Sequence, residues 1–184
     1  MARPLLVSFV AGASGPWRID RIECVAGDGL QPAERLTVLE GCEFDPVEAP
    51  LWTLRGVTSH IRYTKRSESG ALLQKQQGLH RRQATRAALI PIRKTADWWD
   101  LPQDERRSIF EEQSSHIGIG LEYLPAIARR LLHSRDLAQP FDFLTWFEYA
   151  PEHCDIFEKL VSRLRSSREW QYVDREIDIR LVRA

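Results

Sequence analysis

AIARRLLHSRDLAQPFDFLTWFEY, residues 126–149, holds two runs of alternating residue character joined by a short polar segment. Successive side chains of a β-strand point to opposite faces, so period two assigns every residue a side. On 126–134, Arg129, Leu131 and His133 share one face and Arg130 and Leu132 take the other. On 141–149, Phe143, Thr145 and Phe147 share a face, with Leu144 and Trp146 opposite. Each strand is therefore expected to set one face against a helix and the other against a second sheet or a subunit. Arg129 would then point into an apolar chamber made with Leu131, Thr145 and Phe147. A guanidinium in such a place is costly unless it is paired or hydrated, so an anionic partner is expected.

The flanking chain supports a mixed fold. LLVSFVAG (5–12), WRIDRIEC (17–24), RLTVLEG (35–41) and LWTLRGVTSHIRYT (51–64) are short β-rich runs punctuated by Gly, Pro and Asp. RSESGALLQKQQGL (66–79) predicts a helix ending near Gly78, and TRAALIPIRKT (85–95) another strand. In 101–120, Pro102 stands at a helix start with acids in the first turn, which puts His116 near that helix's end. A helix over 151–167 and a strand over 169–183 complete the pattern. Strands and helices interspersed with hairpin-like joins predict an α+β sheet with helices on one face. No internal sequence repeat stands out.

With 184 residues and 43% hydrophobic content, the chain can bury a substantial core in one or two units. Its 26 Lys and Arg balance 26 Asp and Glu, so no bulk field favours nucleic acid or an anionic membrane. No stretch reaches the roughly 18 to 20 apolar residues of a membrane-spanning helix. Cys24, Cys42 and Cys154 form no CxxC pair and are expected to be reduced, partly buried thiols. Residues 1–15 imitate a minimal secretory signal, which would send the protein to the periplasm. The apolar run Leu5–Ala11 is short for that purpose, and PWRIDRIE continues as a strand. A first β-strand and a cytoplasmic protein are the expectation.

The chemical motifs are mostly negative. The five histidines (His60, His80, His116, His133, His153) form neither HExxH nor any zinc-like spacing, and GxSxG, Walker and GxGxxG patterns are absent. By residue chemistry alone, His116 is an ordinary structural histidine, Glu169 a surface acid beside Arg168, and Lys94 the solvated end of a strand.

The longer pattern changes that weighting. KTADWWDLPQDERRSIFEEQSSHIGIGLEYLPAIARRLLHSRDLAQPFDFLTWFEYAPEHCDIFEKLVSRLRSSREW (94–170) resembles the chlorite dismutase family of haem b proteins. The likeness extends through LWTLRGVTSHIRYTKR and ATRAALIPIRK upstream and DREIDIRLVR downstream. The short chain is similar to that family's compact, homodimeric branch. The resemblance implies an α+β fold of two ferredoxin-like halves, the dimeric α+β barrel type, with a truncated N-terminal half over 1–88 and a haem-binding half over 89–184.

It also implies roles. His116 matches the proximal haem-iron ligand, Arg129 the distal catalytic arginine, and Glu169 the carboxylate that accepts from the proximal imidazole. Tyr63, Lys94 and Trp98 resemble groups that hold the haem propionates; Gln76, Leu131, Thr145 and Phe147 resemble the distal-pocket lining. The implied activity is conversion of chlorite to chloride and dioxygen through ferryl haem and a hypochlorite-like fragment, with Arg129 keeping that fragment in place. Rival readings are a coproheme decarboxylase, a haem peroxidase, and a non-catalytic haem carrier or sensor. Decarboxylases of this kind are generally longer and place other residues at the position of Arg129. A carrier has no need of a distal cation.

Overall fold

The computed structural model describes residues 4–41, 49–58 and 64–184. Its strands are β1 (Leu6–Gly12), β2 (Trp17–Ala26), β3 (Arg35–Glu40), β4 (Trp52–Thr58), β5 (Arg86–Lys94), β6 (Ile127–His133), β7 (Phe143–Tyr149) and β8 (Val173–Arg183). They close into an antiparallel barrel in the order β1-β3-β2-β8-β5-β7-β6-β4. Closure removes the unpaired edges that an open sheet of this width would present.

Cut between β2 and β8 and between β4 and β6, the ring falls into β4-β1-β3-β2 and β8-β5-β7-β6. Both quartets follow one order, fourth, first, third, second, so the fold is two ferredoxin-like halves of an α+β barrel. The repeat is carried by topology and leaves no readable trace in the sequence. The division expected after residue 88 runs through β5, which belongs whole to the second quartet.

The two quartets differ in their connections. Residues 13–16 turn directly from β1 into β2, whereas β5 and β6 are joined through α2 (Ala96–Asp100), α3 (Gln103–Arg107) and α4 (His116–Tyr123). Between β7 and β8 lies α5 (Cys154–Arg165), and α1 (Arg66–Lys75) precedes β5.

Two expectations are corrected here. The single helix expected from Pro102 onward breaks into α3, a π-helical segment Ser108–Gln113, and α4, with Ser115 in the left-handed region at φ 49°. His116 therefore begins a helix. The break persists because Glu111, five residues earlier, supplies the acceptors for the new helix's first N–H groups. The strand expected over 169–183 begins only at Val173; Arg168–Tyr172 is a 3₁₀ turn that buries Glu169. Of the thiols, Cys24 is exposed and Cys154 half-buried, while Cys42 lies outside the described residues.

Alternation along the strands separates two apolar layers. Leu89, Leu144, Trp146, Ile177 and Ile179 point into the barrel and meet Phe9, Trp17 and Leu54 from the far wall. Trp146 is the pivot, with ring centroids 5.6 Å from Phe9 and 5.3 Å from Trp17, the latter edge-on. The opposite faces of β5 and β7 carry Ile90, Ile92, Phe143 and Phe147 outward beneath α4 and α5. The two faces expected for β7 are thus both buried, one by the barrel's far wall and one by helices.

On β8 the outward positions are charged. Glu176, Asp178 and Arg180 are buried beneath α5, where Arg165 donates to Glu176 Oε1 at 2.6 Å and to Asp178 Oδ2 at 2.9 Å. Arg180 donates to Asp178 and to Glu158 Oε1 at 2.7 Å. Burial alone would raise the Asp178 pKa, but hydrogen bonds and charge from Arg180 and Arg165 outweigh it and leave the pKa lowered. A carboxyl with a depressed folded-state pKa adds stability above its unfolded pKa, and that stability is lost as pH falls through the folded value. Asp178→Asn should cost on the order of 3 kcal/mol at pH 7 and flatten the loss of stability on acidification below about pH 4. Urea unfolding of variant and wild type across pH 3 to 7 reads both effects.

Candidate active site

Over the outward face of the second quartet lies a cavity of about 250 Å³. The sheet contributes Ile90, Ile92, Arg129, Leu131, Thr145 and Phe147; α4 adds His116, Ile117 and Gly120, and α5 adds Leu160, Val161 and Leu164. The lining is largely aliphatic and aromatic, with few polar groups converging on it, the usual constitution of a site for an organic ligand.

His116 is held from three directions. Its Nδ1 lies 2.7 Å from Glu169 Oε2, and its ring stacks on Phe110 with centroids 4.4 Å apart. Its backbone starts α4, whose first free N–H groups donate to the Glu111 carboxylate, Ile117 N at 2.6 Å and Gly118 N at 3.2 Å. An ionised carboxylate only accepts, so Nδ1 carries the proton in this contact, and in that tautomer of a neutral imidazole the lone pair is on Nε2.

Glu169 is itself shared. Lys94 Nζ donates to its Oε1 at 2.8 Å, and the two side chains are 1% and 5% exposed. Ser114 Oγ accepts from Glu169 N at 2.9 Å, fixing the turn. Burial pushes the Glu169 pKa up, but the facing His116 and Lys94 more than reverse that and hold it at about 2. Lys94 also lies over the Trp98 ring, 4.6 Å from its centroid. The ammonium that the resemblance sends to a propionate is thus committed to Glu169, 75 residues away in sequence.

Arg129 stands in the same cavity on β6, beside Leu131 and Thr145. Among the described residues no carboxylate lies within ion-pair distance of it. Burial lowers its pKa, yet arginine starts so high that the charge remains at neutral pH. The guanidinium reaches toward α4: a Cβ built on Gly120 would lie 3.9 Å from Arg129 Cζ.

The structure thus brings His116, Glu169, Lys94, Trp98, Arg129, Leu131, Thr145 and Phe147 to one cavity. Gln76 stands just outside it, donating from Nε2 to the Arg129 carbonyl at 2.8 Å. Tyr63 lies outside the described residues. Phe110, Glu111, Gly120 and Trp170 were not among the expected site residues. Glu111 and Phe110 read as ordinary members of an amphipathic helix, and only the break before His116 brings Phe110 onto the imidazole and the Glu111 carboxylate onto the first N–H groups of α4.

The fold and this cavity place the chain in a known class. The chlorite dismutase family model matches residues 28–183. The chain belongs to the chlorite dismutase family. The dimeric chlorite dismutase of Nitrobacter winogradskyi is 55% identical, with 97% of this chain and 99% of that one covered and a TM-score of 0.89. A chlorite dismutase from Ideonella dechloratans is 34% identical over 98 residues, 52% of this chain and 33% of that protein, so the match spans a third of that relative's length. A variant of the Candidatus Nitrospira defluvii enzyme in complex with cyanide shares the fold at 19% identity, with a TM-score of 0.65 and 98% of this chain and 91% of that one covered. No helix among the described residues is long and apolar enough to cross a membrane.

Removing the Glu169 charge leaves the buried Lys94 ammonium without its counter-ion and the half-buried His116 without its charged acceptor. Glu169→Gln should destabilise the protein by about 3 kcal/mol or more, read from the urea midpoint at neutral pH. The variant's stability should also change less than wild type's as pH falls below about 4.5, because the wild-type contribution is lost between the ordinary carboxyl value and the depressed one.

Proposed function

We infer that the cavity binds haem b and that the protein is a chlorite O2-lyase, releasing chloride and dioxygen from chlorite. The observation that carries this reading is the pairing, in one apolar cavity, of a carboxylate-braced imidazole with an arginine that no described carboxylate neutralises.

The donor set suits haem. Among the described residues no three His, Cys, Asp or Glu side chains converge as a metal cage. One imidazole is too few ligands for a bare ion, so an ion held by His116 has to bring its other ligands with it. A macrocycle does so and asks for apolar walls, which Ile92, Ile117, Ile127 and Leu160 provide. Bound in this cavity, haem would supply the redox chemistry for breaking both Cl–O bonds of chlorite and forming the O–O bond of dioxygen.

The remaining work belongs to this chain's residues. His116 Nε2 would offer its lone pair to the haem iron, and Glu169, accepting from Nδ1–H, fixes the ring's orientation and strengthens it as a donor. Lys94 holds Glu169 in its ionised, oriented state. Chlorite enters as an anion and chloride leaves as one, and the overall conversion moves no net proton. The distal side therefore needs a fixed cation more than an acid or base, and Arg129 meets that need with several donors in a planar fork. Leu131, Thr145 and Phe147 give the arginine a largely apolar surround with few competing donors, which strengthens its field on a bound anion. The resemblance supports the proposal that Trp98 and Tyr63 help hold the haem propionates. Likeness to the dimeric Nitrobacter winogradskyi enzyme supports a homodimer.

Haem-loaded protein given chlorite in a Clark cell should evolve oxygen. A charge-assisted hydrogen bond contributes about 1.5–3 kcal/mol, so Arg129→Ala should lower the rate about tenfold to a hundredfold and increase leakage of hypochlorite, trapped by a chlorination probe. A haem-loaded wild type that evolves no oxygen sinks the enzymatic reading and leaves haem carriage; an Arg129→Ala variant as fast as wild type removes the arginine's role.

A further inference from the structure

We propose that Glu111 is a positioning residue for His116, a second carboxylate that orients the imidazole and raises its donor strength through the α4 backbone. This rests on the reading that His116 ligates haem iron.

Ser115, immediately before His116, adopts φ 49°, a left-handed conformation that a non-glycine residue holds only when its surroundings impose it. Its own side chain makes no capping bond to the helix. The cap comes instead from Glu111, whose two carboxylate oxygens take Ile117 N at 2.6 Å and Gly118 N at 3.2 Å, while its carbonyl accepts from Ser115 N at 2.8 Å. One residue earlier, Phe110 lies against the imidazole at an interplanar angle of 24°. Both belong to the π-helical segment Ser108–Gln113, a rare geometry that recurs where a functional side chain has to be re-aimed. The same two-residue step thus clamps the ring's face and the first turn of its helix.

The clamp has an electrostatic consequence. The N-terminal N–H groups of a helix carry partial positive charge, and His116 is the first residue of α4. Left alone, that positive end would draw electron density from the imidazole. The Glu111 carboxylate, bonded to those N–H groups, offsets it. Glu169 acts on His116 through the ring nitrogen and Glu111 through the backbone; both favour the oxidised metal.

The test uses haem-loaded Glu111→Gln and Glu111→Ala, with His116→Ala as control. The readouts are the ferric/ferrous midpoint potential by spectroelectrochemistry and the rate of haem transfer to apomyoglobin. Removing the negative charge should favour the ferrous form in both variants by about threefold to tenfold, about 30 to 60 mV for a one-electron couple. Gln, which still accepts from the helix N–H groups, should shift the potential with little change in melting temperature, whereas Ala should also hasten haem loss. If His116→Ala loses the imidazole-ligated spectrum while both Glu111 variants keep the wild-type potential, the role of Glu111 is overturned. If His116→Ala keeps the wild-type spectrum, the ligand reading fails first and the inference falls with it.

Discussion

The Glu169 carboxylate, sealed between His116 and Lys94, ties together three parts of the chain that lie far apart in sequence: the end of β5, the start of α4 and the 3₁₀ turn before β8. Burying a carboxylate is expensive, and two opposing cationic or donor groups with good geometry are needed to offset it. Such an arrangement adds little net stability compared with a well-packed apolar replacement. It does penalise every arrangement in which one member is missing. The position of His116 is therefore set by an ionic requirement that the whole second quartet has to satisfy, and Asp142 extends the requirement by accepting from Lys94 N at 2.7 Å.

The barrel makes that requirement geometrically possible. Because β7 lies between β5 and β6, Ile90, Thr145 and Leu131 form one row across the sheet, and Arg129 and Phe147 form the next. Side chains anchored to a closed sheet cannot slide by one residue without reversing both faces, which would put Trp146 outside and Thr145 inside. The interior layer around Trp146 thus fixes the register that puts Arg129 in the cavity. β5 accommodates Pro91 in a central strand because its pairing with β8 lapses between Leu89 and Ile92, where the missing N–H has no partner to disappoint.

Much of this was legible in the sequence wherever period two operates. Residues 126–149 assign Arg129, Leu131, Thr145 and Phe147 to one chamber, and the structure lines the cavity with all four. On β8 the same rule separates the faces without showing what covers them: α5 lies over Glu176, Asp178 and Arg180, and Arg165 donates to the two carboxylates. The helix break at 113–116 is hidden because the apolar spacing runs on across it, and what decides it is a side-chain cap formed only after the chain has turned. Lys94 with Glu169 is a contact across 75 residues, beyond the reach of any local pattern.

The cavity is polarised by what surrounds it. On the α4 side lies a carboxylate whose charge is held by His116 and Lys94; on the β6 side lies Arg129, whose charge meets no described carboxylate. A half-buried cation without a described counter-ion, set among apolar walls, is only partly hydrated, and that costs free energy in the empty cavity. The field it creates acts on whatever enters, and a small anion is the entrant that relieves the imbalance most. Lysine would not serve as well, because a desolvated ammonium can shed its proton near neutral pH while a guanidinium keeps its own. The lack of a counter-ion that makes the arginine costly in the empty fold is, on the proposed reading, the same property that would favour an anionic substrate.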